Sequence, residues 1–170
     1  MVTVEVLKGF EFFNGLTDDS LAKLTELCHV HAMHEGDRIF AEGSKARDIH
    51  FCHSGKVDIL IWVREPWNKN IAVHRAEPGE LFGWSALVVP YTYTASAECV
   101  ESGDEIRIKG HELLAVFGQN PLIGYTVMEN LGANVSARLT QTRQKLVAEW
   151  LGAPWPTTSS SSAWGEPGRR

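Results

Sequence analysis

The chain has 170 residues, 44% of them hydrophobic and 22% charged, enough for one domain with a sizeable core. Its formal charge of −5 and pI near 5.8 argue against broad, unassisted binding to nucleic acid. No apolar run approaches the roughly 20 residues of a membrane helix, and the opening residues, Met1 to Gly9, lack the basic-then-apolar order of a signal peptide. Cys28, Cys52 and Cys99 are few, odd in number and scattered. They read as small buried hydrophobes of a soluble protein in the reducing cytoplasm, without disulfides or an iron–sulfur cluster.

The chain starts with an apolar lead-in, Phe10, Phe12, Phe13 and Leu16. Asp18-Asp19-Ser20 then reads as a capping cluster ahead of Leu21, Leu24, Leu27 and Cys28, an apolar stripe at helical spacing. From about Val30 to Ile108 short apolar stretches alternate with turn residues. Ile49-His-Phe-Cys52, Val57 to Val63, Ile71-Ala-Val73, Tyr93 to Ala97 and Glu105-Ile-Arg-Ile108 are strand candidates. Glu35-Gly36-Asp37, Glu42-Gly43-Ser44, Ser54-Gly55-Lys56 and Pro78-Gly79-Glu80 are the corners between them. Many short strands with glycine corners predict a barrel or roll. Helix returns over Gly110 to Asn120, and Pro121 opens a second, long helix, with Val127, Leu131, Val135 and Leu139 recurring every four residues. These elements predict one domain over 1–150. The Ser/Pro-rich segment 151–170 is expected to be disordered.

In order and spacing these motifs resemble the effector domain of the catabolite-activator (CRP/FNR-type) family and other cyclic-nucleotide-binding domains. The residues carrying the resemblance are Phe12-Phe13-x-x-Leu16, Gly36-Asp37-x-Ile39-Phe40-x-x-Gly43, Ser54-Gly55-Lys56-Val57, Pro78-Gly79-Glu80-x-Phe82-Gly83-x-x-Ala86-Leu87, and Asn120-Pro121 opening the long helix. The resemblance implies a mainly β fold with flanking helices: a jelly-roll or β-roll (double-stranded β-helix) with an N-terminal helix and a long C-terminal helix. It also implies a phosphate-binding cassette, Phe-Gly-Glu-x-Ala-Leu followed after a loop by Arg-x-Ala. Backbone N–H groups there face a phosphate, the arginine pairs with it, and the glutamate accepts from the ribose 2′-hydroxyl.

Here the cassette keeps its frame in Phe82, Gly83, Ala86, Leu87 and Ala95, but Trp84 stands at the glutamate position and Tyr93 at the arginine position. A phosphate in a partly dry pocket without its counter-charge carries a desolvation cost that hydroxyls recover only in part. Ser85, Thr92, Tyr93 and Ser96 are the hydroxyls available, with Thr94 a further candidate ligand-binding residue, so weak or absent binding of cyclic AMP or GMP is expected. Trp84 either fills the pocket or stacks on a flat ligand. Arg75 is read as a surface arginine rather than a substitute cation. Asn134, Arg138 and Gln141 on the long helix are candidate lid residues over the ligand.

His29-x-His31 and His34-Glu35 partly match the first metal-binding motif of cupins, but the second motif is not found. These histidines, with His50 and His53, are read as solvated or hydrogen-bonded. His53 and His74 have no spacing that supports haem ligation. No nucleophile elbow, phosphate loop or dinucleotide fingerprint occurs, so no catalytic or metal site is assigned and the protein is not expected to be an enzyme. The residues after the long helix are too few and too Ser/Pro-rich for a helix-turn-helix, so no direct DNA binding is expected. Three hypotheses follow. The first is a stand-alone sensor binding a nucleotide or other small metabolite in the roll and signalling through the long helix. That helix would pair in a homodimer along Val127, Leu131, Val135 and Leu139, or report to a partner protein. The second is a ligand-free interaction module, its pocket closed by Trp84 and Tyr93. The third and most remote is a metal-dependent cupin-like enzyme.

Overall fold

A computed structural model describes residues 1–152. The segment expected to be disordered lies, from residue 153, outside the described residues. Met1–Val135 form one compact unit, and the chain from Ser136 belongs to a second. Helices α1 (Val4–Lys8) and α2 (Asp18–Thr25) flank a 3-10 turn at Glu11–Phe13. Thr17, not the following cluster, caps α2: its hydroxyl accepts from the Ser20 N–H at 3.3 Å, which leaves Asp18 and Asp19 in the first turn, where carboxylates favour the helix dipole.

Eight strands follow: β1 (His29–Met33), β2 (Arg38–Phe40), β3 (Asp48–Cys52), β4 (Lys56–Val63), β5 (Lys69–Ala76), β6 (Leu81–Phe82), β7 (Ser96–Glu101) and β8 (Gly103–Lys109). They form two antiparallel four-stranded sheets, ordered β1-β8-β3-β6 and β2-β7-β4-β5, the two layers of a jelly roll. β7 starts later than the sequence suggests. Tyr93 is held outside the ladder because its N–H and C=O bond to Ser44 and Gly43 of the β2–β3 loop at 2.9 and 2.8 Å. At the Ser54-Gly55-Lys56 corner, Gly55 has φ +79°, and a Cβ there would collide with the Glu101 carbonyl.

The sheet β1-β8-β3-β6 has two unlike faces, because side chains alternate along a strand. Ile49 and Phe51 of β3, with Ile106 and Ile108 of β8, pack into a cluster that includes Leu7, Leu21, Leu24 and Leu113 from the helices. Phe10, Phe12 and Phe13 surround Phe51 with ring centroids 5.1–5.3 Å away. The alternate residues His50, Cys52 and Glu105 are also buried. Cys52 joins Val57, Phe82, Ala97 and Cys99 in the roll's own cluster.

Helices α3 (Gly110–Gln119) and α4 (Pro121–Leu151) follow as expected. The four-residue register proposed as a dimer seam requires correction. Val127 and Leu131 are buried against the chain's own helices and sheet, where Phe12, Phe51 and Ile123 share their cluster. Their apolar surface is consumed by the fold and is not available to a partner. The exposed apolar residues of α4 are instead Leu122, Tyr125, Met128, Leu139, Leu146, Val147, Trp150 and Leu151.

Candidate ligand site

The corner Pro78-Gly79-Glu80 leads through β6 into the cassette. Gly83 adopts φ +70° and starts a 3-10 turn over Trp84–Leu87. A Cβ at Gly83 would lie 2.8 Å from the His50 ring, 3.2 Å from Phe40 and 3.3 Å from Tyr93. The cassette glycine is therefore needed for close approach as well as for backbone angle, and aromatic rings occupy the space behind it.

Tyr93, at the arginine position, is 5% exposed. Its ring stacks on Phe40 with centroids 3.8 Å apart and planes 7° from parallel. Its hydroxyl donates to the Asp48 carbonyl at 2.8 Å and sits 3.2 Å from His50 Nε2. His50 Nδ1 is 2.8 Å from Glu105 Oε2, and Arg107 Nε donates to Glu105 Oε1 at 2.7 Å. The phenol has one proton, and the shorter contact, to the carbonyl, takes it. The His50 ring thus lies between the Glu105 carboxylate and the Tyr93 hydroxyl. Burial raises the Glu105 carboxyl, but His50 and Arg107 outweigh it and hold the group below its ordinary range. Burial also pushes the Tyr93 phenol up to about 12. The cation that the family pattern puts on the cassette loop has no counterpart there. A phenol stands in its place, and the His50 ring beside it already faces the Glu105 carboxylate.

The cassette frame thus divides. Phe82, Ala86, Leu87, Tyr93 and Ser96 are buried packing residues, and the Ser96 hydroxyl accepts from the Glu42 N–H at 2.9 Å. Trp84, Ser85, Thr92 and Thr94 instead line a groove of about 400 Å³ together with Val88, Val89 and Pro90. Its opposite wall is α4, through Met128, Leu131, Gly132 and Val135. Ala95 is half-buried and outside this lining. Of the lid candidates, Asn134 is not a groove residue, and its amide oxygen is buried without a hydrogen-bond partner. Arg138 and Gln141 lie on the stretch of α4 that belongs to the second unit.

Other candidates resolve simply. Arg75 forms a two-point ion pair with Asp58 at 2.6 and 2.9 Å on the β4–β5 hairpin, which keeps it from acting as a substitute cation. His29 and His31 are exposed on edge strand β1, His53 is exposed, and His74 Nε2 lies 3.4 Å from Glu80 Oε2. Among the described residues no three His, Cys, Asp or Glu side chains come together as a metal site. Cys52 and Cys99 are buried, with their thiols directed at the Gly55 and Glu101 carbonyls, and burial pushes Cys52 up to about 12. No described helix is long and apolar enough to cross a membrane. Sequence reasoning quoted Phe40 only as a motif residue and read His50 as solvated or hydrogen-bonded, of which the second holds, but it did not join either to Tyr93 and missed Glu105 and Arg107 as site residues. The available signal was polar residues in the alternate positions of two otherwise apolar strands, Ile49-His-Phe-Cys52 and Glu105-Ile-Arg-Ile108.

A jelly roll with helices on one sheet and a glycine-led cassette turn facing a long C-terminal helix defines a small-ligand regulatory fold of the cyclic-nucleotide-binding type. The chain belongs to the cyclic nucleotide-binding domain family, whose model matches residues 30–120. A proposed cyclic nucleotide-binding protein from Geobacter metallireducens is 30% identical, with a TM-score of 0.72 over 82% of this chain and 99% of that one. A cyclic nucleotide-binding domain from Methylobacillus flagellatus shares the fold at 14% identity, with a TM-score of 0.74 over 86% of this chain and 81% of that one. The cyclic AMP receptor protein of Thermus thermophilus is 26% identical over 135 residues, 79% of this chain. The chain spans 60% of the length of that curated relative.

Proposed function

We propose that this protein is a regulatory sensor, not an enzyme, in which the cassette's phosphate site has been exchanged for aromatic packing. Its ligand is a small, uncharged, flat metabolite held in the groove between the cassette and α4. The observation that carries the reading is that groove. It joins Trp84, a stacking surface, and the hydroxyls of Ser85, Thr92 and Thr94 to the helix that carries the signal. Its volume falls within the roughly 300–1,000 Å³ of small-molecule sites. A cyclic nucleotide would bring a phosphate to Tyr93, which offers no charge, so the cyclic nucleotides that name the family are not the ligand.

Signalling runs through α4. Leu139, Leu146 and Trp150, on the part of α4 beyond the groove, are exposed apolar side chains at steps of seven and four, the spacing of a two-helix seam. A homodimer along this line replaces the four-residue register. We place the protein in the cytoplasm, where thiols such as those of Cys52 and Cys99 stay reduced. Its output passes to a partner protein.

The second reading, a ligand-free interaction module, is favoured by the closure of the space behind Gly83. Gly132→Phe separates the two. A Cβ at Gly132 meets no atom within 4 Å, so the larger side chain enters the groove without disturbing the backbone. Thermal-shift and NMR screening of uncharged aromatic metabolites against the full chain is expected to give hits that Gly132→Phe abolishes. No hits at all favour the interaction module, and hits that survive the substitution place the ligand outside this groove and contradict the first reading. Leu139→Glu with Leu146→Glu is expected to turn a dimer into a monomer in sedimentation. A wild-type monomer contradicts the seam.

A further inference from the structure

A second groove, of about 780 Å³, lies behind the cassette turn and is distinct from the one at α4. Its residues come from the β2–β3 loop, the start of β3, the cassette turn and loop, and the first turns of α3. In a chain of net charge −5, Lys45, Arg47, Lys109 and His111 all converge on this one hollow, with Asp48 as the lining acid. Lys109 pairs with Glu112 at 3.1 Å. The side chains of Lys45 and Arg47 have no carboxylate partner among the described residues. Lys45 and Arg47 are exposed at this hollow beside Lys109 and His111, which face Glu112 at 3.1 and 4.0 Å, and an added anion offsets the positive charge that is left. The adjacent start of α3 adds the positive end of a ten-residue helix. The remaining lining is not generic salt-bridge surface. Ala86 and Leu114 are apolar, and Tyr91, 39% exposed at the cassette loop, offers an aromatic ring.

We infer that this groove binds a nucleoside polyphosphate, its phosphates on Lys45, Arg47 and Lys109 and its base against Tyr91 and Leu114. The cassette turn forms a wall of both grooves, through Ala86 here and through Trp84 and Ser85 at α4. The inference is independent of the groove at α4 and stands or falls on its own probes.

The test is calorimetric titration of the full chain with ATP and, in parallel, with inorganic tripolyphosphate, at low and at high salt. Saturable one-to-one ATP binding that weakens with salt is expected. Lys45→Ala with Arg47→Ala is expected to weaken it at least about tenfold, the effect of losing charged hydrogen bonds. Lys69→Ala, an exposed cation on β5, is expected to leave it unchanged. Tripolyphosphate is expected to bind more weakly than ATP, and Tyr91→Ala to remove that margin. These are substitutions of exposed side chains, and unchanged thermal melts verify that the fold is kept. No saturable binding of either probe overturns the inference. So does an equal loss in the Lys69→Ala variant, which would mark non-specific charge attraction. ATP and tripolyphosphate binding equally, with Tyr91→Ala silent, overturns the nucleoside assignment.

Discussion

The two faces of the sheet β1-β8-β3-β6 are built on opposite principles. Towards the helices, Ile49, Phe51, Ile106 and Ile108 make an apolar layer that needs only volume and shape. On the alternate positions of the same strands, His50, Glu105 and Arg107 form a polar, hydrogen-bonded chain that ends on Tyr93. Apolar packing tolerates gradual change. A buried polar chain tolerates removal of all of it better than removal of one member. The contrast separates architecture from site: the apolar face carries the fold, and the polar face ends on Tyr93 at the cassette.

The largest effect is expected on the apolar face. Phe51→Ala leaves a cavity among Phe10, Phe12 and Phe13 and is expected to lose about 3–5 kcal/mol in urea unfolding. On the polar face His50→Ala is expected to lose about 3 kcal/mol, because Glu105, fully buried, keeps only Arg107. Here the faces diverge. Replacing the pair together, His50→Leu with Glu105→Leu, is expected to restore stability to within about 1 kcal/mol of the parent, since Arg107 is partly exposed and reaches water. A double variant no better than His50→Ala would break the comparison. Tyr93→Phe keeps the stack on Phe40 but strips the donor from the Asp48 carbonyl, for an expected loss of about 1–2 kcal/mol.

The smallest effect is on pH dependence. Glu105 is held below the ordinary glutamate value of 4.5, so the unfolded chain takes up its proton at higher pH than the folded one. Its contribution is complete above that value and is lost as the pH falls through the depressed one. Denaturation at stepped pH is expected to show a steeper acid decline for the parent than for Glu105→Gln. Equal slopes would show that the carboxyl is not held down.

Much of this architecture is legible in the chain itself. The glycine corners, the Phe12-Phe13 lead-in and Pro121 place the roll and its helices correctly, because positive φ, aromatic bulk and helix starts are local demands. Trp84 and Tyr93 are read at the cassette's glutamate and arginine positions from the sequence alone. Two things were not legible. One was which α4 residues face outward: Val127 and Leu131 are as apolar as a seam requires, and only the packing of Phe12 and Phe51 against them settles the matter. The other was the partner of Tyr93. His50 and Glu105 are 55 residues apart in sequence, and the pairing of β3 with β8 brings them together. The alternation within each strand marks the polar residues, but not which of them the long-range registry pairs.

The central claim, that aromatic packing has displaced the phosphate site, is tested most directly by calorimetric titration of the full chain with cyclic AMP. Because ATP addresses the outer groove, the measurement includes the Lys45→Ala, Arg47→Ala variant. That variant is expected to show no saturable binding of cyclic AMP. Tight, saturable binding by it would place a phosphate at Tyr93 after all and contradict the account.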